Sequence, residues 1–288
     1  ASVVEIHENA FENCKALEEV YFVSENHRQT AGQADDTSIE FSNLSLVHRR
    51  AFYNCKSLKK VDFSNVKTIA IDQEAFLNCE KLTHVLNMES VGAAYRGAFK
   101  NCTSLREKIT LRTAKIGDGA FGGCVNLEGV KLEASNVEIG ALAFENCGTG
   151  LESGFEIDFN EKTVKSIGNG AFKGAKLAVQ NETFTLPDGL ISIGENVFEN
   201  CQTVKTVALG NVDLDNVKLL GAAFKGLNVT VAADSTKFTQ EQGVIYALET
   251  GVKTKLIYLN ASATGENGKL DLSTLTITEI GEYAFVGV

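Results

Sequence analysis

Apolar and polar positions along this chain return in one fixed order. An aliphatic residue is followed by phenylalanine five positions later, and then, at intervals of three, by cysteine, by leucine or valine, and by valine. Ile116, Phe121, Cys124, Leu127 and Val130 form one complete copy. Ten phenylalanines anchor such copies: Phe11, Phe52, Phe76, Phe99, Phe121, Phe144, Phe172, Phe198, Phe224 and Phe285. All seven cysteines occupy the same place: Cys14, Cys55, Cys79, Cys102, Cys124, Cys147 and Cys201, with Ala175, Leu227 and Val288 in the other three copies. The spacings between successive phenylalanines are 41, 24, 23, 22, 23, 28, 26, 26 and 61. Self-similarity at 20 to 30 residues implies a solenoid, because one unit cannot bury a core alone and stacked units place like residue on like residue.

The segment after each cysteine, such as Leu58 to Phe63 or Leu127 to Leu132, alternates apolar and polar residues with period two, which predicts a strand with one face buried. The Ala-Phe-x-Asn-Cys segment before it suits one helical or 3-10 turn. Asparagine precedes the cysteine in six of seven copies, and Gly123 replaces it in the other. Both residues tolerate left-handed backbone, so a sharp bend is expected there. The predicted coil is one strand plus a short helical or 3-10 turn, repeated about ten times.

The pattern I-G-x-x-A-F-x-x-C-x-x-L-x-x-V-x-L resembles the BspA-like, treponemal type of leucine-rich repeat. Ile116 to Leu132 is a near-complete copy, and the likeness covers nearly the whole chain. The segment Gly243 to Leu259 also resembles the hairpin that often interrupts such arrays. The resemblance implies a right-handed α/β solenoid on the outside of a bacterium or protozoan, often credited with binding host proteins or neighbouring cells. Pro187 is the lone proline, where such arrays commonly place one after each strand.

Composition narrows the function. Net charge is −10, from 27 basic and 37 acidic residues, which disfavours nucleic acid and anionic membrane as partners. No run of 18 apolar residues is present, so no membrane insertion is expected within this chain. Its first residues already lie inside a repeat and its last stop short of a strand, the expectation for a piece of a longer protein. No cofactor and no metal are expected: zinc sites need thiolates or imidazoles at short spacing, such as C-x₂-C. Stacking would bring cysteines within disulfide range, yet their side chains point in parallel, so small buried free thiols are the better reading. His7, His27, His48 and His84 have no partner at a recognisable spacing, and His7 and His48 read as drift at a slot where later copies hold glycine. Gly148 to Gly154 reads as a turn and not a phosphate loop, and Asp213 to Asp215 as a solvated turn and not a calcium site. The chain is therefore expected not to be an enzyme.

The irregularities suggest where specificity lies. A single domain over 1–288 is expected, with a polar insertion at 24–40 and a degenerate coil plus hairpin at 229–269. The residue between the two buried strand positions gives an outward column: Tyr21, Asp62, Leu86, Thr110, Lys131, Asp158, Thr185 and Ala208. With Tyr246 and Tyr258 of the hairpin, read as exposed, these form the candidate partner-binding set. The expected role is an extracellular or cell-surface interaction module that adheres to a host matrix or cell-surface protein. A structural spacer or anchoring stalk is the alternative.

Overall fold

The computed structural model describes residues 3–22, 43–64, 66–159, 164–187, 189–210, 212, 220–233, 235–260, 263, 272–273 and 276–286. The expected polar insertion and Asp213 to Asp215 lie outside the described residues. The chain winds into a β-solenoid of about nine turns with almost no helix. The one α-helix among the described residues is α1 (Leu220–Ala223).

Each regular coil contributes two strands, not the single one expected. The short aliphatic segment before the phenylalanine is itself a strand: β1 (Glu5–Ile6), β3 (Leu46–Val47), β5 (Ile69–Ile71), β7 (Val91–Ala94), β9 (Lys115–Ile116), β11 (Val137–Ile139), β13 (Val164–Ile167) and β15 (Ser192–Ile193). In that order they form one parallel eight-stranded sheet. The expected strand after the cysteine forms the second column, broken into three sheets. These join β2 (Glu19–Tyr21), β4 (Lys60–Asp62) and β6 (His84–Leu86); β8 (Lys108–Leu111), β10 (Gly129–Leu132) and β12 (Glu156–Asp158); and β14 (Thr183–Thr185), β16 (Thr206–Ala208) and β17 (Asn228–Thr230).

The Ala-Phe-x-Asn-Cys segment is a chain of tight turns in place of the expected helical turn, and its hydrogen bonds say why. In the second coil the amides of Ala51, Tyr53 and Cys55 bond three residues back, to His48, Arg50 and Phe52, as a 3-10 helix would. The alternate amides of Arg50, Phe52 and Asn54 bond instead to Gln73, Ala75 and Leu77 of the next coil. Half of the donors are thus spent between coils, which a continuous helix forbids. Backbone at Arg50 (φ 55) and Asn54 (φ 59) is left-handed, and the bend expected at asparagine recurs at Asn13, Asn78, Asn101, Asn146 and Asn200.

The phenylalanines stack along the axis of the array. Ring centroids are 4.9 Å apart for Phe11 and Phe52, 5.4 Å for Phe99 and Phe121, and 6.2 Å for Phe198 and Phe224. From Phe52 to Phe224 these rings are buried, whereas the end members Phe11 and Phe285 are 38% and 36% exposed. The cysteines stand free beside them. In six coils the thiol donates to the phenylalanine carbonyl of the preceding coil present, as from Cys79 to Phe52 (3.2 Å), Cys102 to Phe76 (3.3 Å) and Cys124 to Phe99 (3.2 Å). Each such carbonyl also accepts from the amide three residues on, as Phe52 O does from Cys55 N at 3.2 Å, so the thiol adds a second, weak donor from the next coil while filling the core as a small apolar group.

The array changes at its C-terminal end, where the count of ten regular coils fails. β18 (Phe238–Glu241), β19 (Val244–Glu249) and β20 (Val252–Leu259) form an antiparallel meander, and β21 (Glu279–Ile280) of the tenth copy pairs in parallel with β20 and not with the eight-stranded sheet. The hairpin therefore replaces a coil. Gly281 N donates to Leu256 O at 2.7 Å, just as Gly140 N donates to Ile116 O at 2.8 Å in the regular array.

That replacement corrects the placement of the two hairpin tyrosines, which are 2% (Tyr246) and 1% (Tyr258) exposed. Tyr258 enters the main core, and its hydroxyl lies 2.8 Å from Phe224 O and 2.7 Å from Leu227 O. Tyr246 packs with Val244, Leu256, Leu259 and Ala284 in a second small core, with the Lys253 ammonium 5.0 Å above its ring. Neither tyrosine is available as partner-binding surface.

Candidate binding face

The strand pairings put the outward column in the register expected from the repeat. Tyr21 lies beside Asp62 and Asp62 beside Leu86; Thr110 beside Lys131 and Lys131 beside Asp158; Thr185 beside Ala208. The neighbours of each alternate inward, so Val61, Val85, Ile109, Val130 and Val207 are buried. Tyr21 (43% exposed) and Thr185 are open to solvent, and Asp62, Leu86, Thr110, Lys131 and Asp158 are half-buried by their neighbours.

Charged groups are tied across this face. The Tyr21 hydroxyl donates to Glu19, which holds the phenol above its ordinary value, and the Lys60 ammonium lies 5.1 Å from the ring centroid. Arg112 bridges Glu89 (2.8 Å) and Glu133 (3.0 Å), and Lys108 meets Glu156 at 2.5 Å. Hydrogen bonds from Arg112 and Lys131 hold the Glu133 carboxyl below its usual value. Exposed pairs of this kind add about 0–1 kcal/mol each, so they fix side-chain positions more than they stabilise the fold.

The two breaks in the column are local features that the repeat alone does not announce. Between β6 and β8 a 3-10 turn (Met88–Ser90) intervenes, and the Glu107 carboxylate accepts from Val85 N at 2.9 Å in place of a strand. Burial pushes that carboxyl above its ordinary value, against the backbone hydrogen bond. Among the described residues β12 and β14 are not paired, and the bridge Phe155–Leu177 joins the two coils beside them. There a groove of about 290 Å³ opens among Ile157, Phe159, Val179 and Phe184. The 28-residue spacing from Phe144 to Phe172, longer than its neighbours, is its sequence signal, and Gly148 and Gly154 turn there with φ of 71 and 81. Asn260 closes the far edge: its side-chain amide takes both Val229 N (2.6 Å) and Val229 O (2.9 Å), as a strand would.

The buried cysteines are unsuited to nucleophilic chemistry. Burial pushes Cys55 up to about 11 and Cys124 and Cys201 up to about 12, so these thiols stay protonated near neutrality. The histidines are placed differently from the expectation. The His7 and His48 rings stack with centroids 5.1 Å apart, and His48 Nε2 lies 3.0 Å from Glu5 Oε2. That contact, chiefly its hydrogen bond, holds the Glu5 carboxyl below its ordinary value. The two histidines are 41 residues apart, so only the stacking of coils reveals the pair. His84 Nδ1 lies 2.9 Å from Thr83 Oγ1, and His27 lies outside the described residues.

The profile of the BspA type leucine-rich repeat region matches six copies, over residues 1–34, 33–152 and 149–228. No protein of curated function matches the chain. Among solved structures, a leucine-rich repeat protein from Bacteroides ovatus is 19% identical over 99% of this chain and 68% of its own, with a TM-score of 0.47. A leucine-rich cell surface protein from Faecalibacterium prausnitzii is 20% identical over 84% of this chain, with a TM-score of 0.41, and the match spans half of that protein's length. The leucine-rich repeat protein of Treponema pallidum is 20% identical over 76% of this chain and 71% of its own, with a TM-score of 0.27.

Proposed function

Because this chain belongs to the BspA-type leucine-rich repeat family, we propose that it is a non-catalytic protein-interaction module displayed at a cell surface and used in adhesion to host or neighbouring-cell proteins. The observation that carries this reading is the second strand column, where core positions repeat but the outward residues Tyr21, Asp62, Leu86, Thr110, Lys131, Asp158 and Thr185 do not. Nine rows at roughly 4.8 Å make a face about 40 Å long. That is room for the roughly 800 Å² per partner of an ordinary interface. The groove at Ile157 and Phe159 gives the face an apolar recess where a partner side chain can anchor.

The test is surface plasmon resonance of the immobilised chain against extracellular-matrix proteins and solubilised cell-surface proteins. A triple variant, Tyr21→Ser, Lys131→Glu and Thr185→Lys, should lose binding, while Lys100→Glu with Lys173→Glu on the turn side should keep it. Equal binding by both variants would place the contact off the strand face. Absence of any protein ligand would remove the adhesive reading.

A further inference from the structure

Glu5, His7 and His48 come together from the first two coils, and the parallel register sets them there. Glu5 pairs with Leu46 and Ile6 with Val47, so the residues that follow, His7 and His48, stand side by side. The rings lie 11° from parallel, and donor atoms of the three side chains all fall within 4.8 Å of one another. A zinc ion bound at about 2.0–2.2 Å needs donors a little over 3 Å apart. Glu5 and His7 are exposed and His48 is half-buried, so the side chains have room to turn toward a shared ion.

The slot itself is unusual at this end. In the later coils it holds Gly117, Gly140, Gly168 and Gly194, and an added Cβ would lie 2.5 Å from the Tyr95 carbonyl carbon at Gly117 and 2.5 Å from Ala141 N at Gly168. The first coils carry side chains where those coils are too close to admit any. Nearby cations are already engaged: Arg49 meets Glu8 at 3.1 Å and Arg50 meets Glu74 at 2.7 Å. Glu5 is thus left facing the two imidazoles.

We propose that Glu5, His7 and His48 form a surface site for a divalent transition-metal ion of zinc-like preference, clasping the first coil to the second. Two imidazoles and one carboxylate suit zinc, and also nickel or copper, but not calcium or magnesium, which want oxygen ligands. Three protein ligands leave a coordination position for water or for a donor from a partner. The proposal stands independently of the adhesive reading, since it concerns what the two coils bind by themselves.

Isothermal titration of zinc chloride into the whole chain near pH 7.5 should show one ion bound, with no comparable heat from calcium or magnesium chloride. Loss of a supporting residue in a metal site typically costs about 10–100-fold in affinity. Removing a ligand by His7→Ala or His48→Ala should therefore cost at least about tenfold, and the double variant should abolish binding. Melting of each metal-free variant checks folding, and His7→Asn with His48→Gln serves if an alanine variant melts abnormally. Histidine nitrogen resonances should identify His7 and His48 as the two rings shifted by zinc in the wild-type chain. Absence of stoichiometric zinc binding, full binding by the double variant, or equal affinity for calcium would each overturn the proposal.

Discussion

The middle of the array and its C-terminal end solve one problem with different residues. Around Phe121 each coil is completed by a stacked ring and by a thiol that donates to the previous coil, as Cys147 does to Phe121 O at 3.3 Å. At the end Leu227 stands where the thiol would be, and the next donor into the ladder is the Tyr258 hydroxyl, at 2.8 Å from Phe224 O. The comparison teaches that the repeat encodes a task more than a residue: fill the core beside the ring, and bring one proton to its carbonyl. A hairpin strand meets that requirement as well as a coil does, because Leu256 takes the register of Ile280 and Tyr258 supplies the donor.

The largest expected effect breaks the middle of the ladder. Phe121→Ala should cost about 3–5 kcal/mol by chemical denaturation, because neighbours on both sides hold the cavity open. The same change at Phe285, 36% exposed, should cost less than half as much. Equal losses would contradict nearest-neighbour stacking.

Removing the donors sharpens the contrast. Tyr258→Phe removes the hydroxyl that lies between Phe224 O and Leu227 O, but Phe224 O keeps its bond from Leu227 N at 2.9 Å, so the change should cost about 0.5–1.5 kcal/mol. Cys102→Ser keeps a donor that can reach Phe76 O, so its cost belongs at the low end of the same range, below that of Cys102→Ala. A larger loss for serine than for alanine would mean that the thiol matters only as apolar bulk.

Alkaline pH should weaken both regions, because burial also pushes the Tyr258 phenol up to about 12. The folded thiols of Cys124 and Cys201 are raised from 9.0 to about 12. The folded state therefore holds protons that the unfolded chain releases first. Their stabilising contribution is full below about pH 9 and is lost as pH rises toward 12, by up to about 1.4 kcal/mol per thiol per pH unit. Denaturation midpoints should fall across that window, and less steeply in Cys124→Ala. A flat profile would show that the thiols ionise alike in both states.

The smallest effect belongs to the outward face. Lys131→Ala should shift stability by no more than about 0.5 kcal/mol, which thermal melting would check.

Much of this architecture was legible because the repeat writes its phase in large buried residues. Phe121 and Cys124 fix where each coil turns, and alternation after the cysteine fixes which residue of β10 faces out. The strands β1 to β15 of the eight-stranded sheet were not legible, because two to four residues are too short for a period to show. The helical turn was misread because half of its amides bond to a neighbouring coil, which no local pattern records. Tyr246 and Tyr258 were misread for a related reason: alternation separates two faces of a hairpin but does not say that both will be covered. The pairing of His7 with His48 depends on register between distant segments and becomes visible only once the coils are stacked.

The measurement that bears most directly on the ladder is thiol titration of the unreduced chain, folded and then unfolded. Cys55, Cys79, Cys102, Cys124, Cys147 and Cys201 are buried and Cys14 is half-buried, and all seven are free. The expected result is slow reaction at Cys14 alone in the folded chain and seven reactive thiols on unfolding. Several fast thiols in the folded chain, or fewer than seven after unfolding, would contradict a buried ladder of free cysteines.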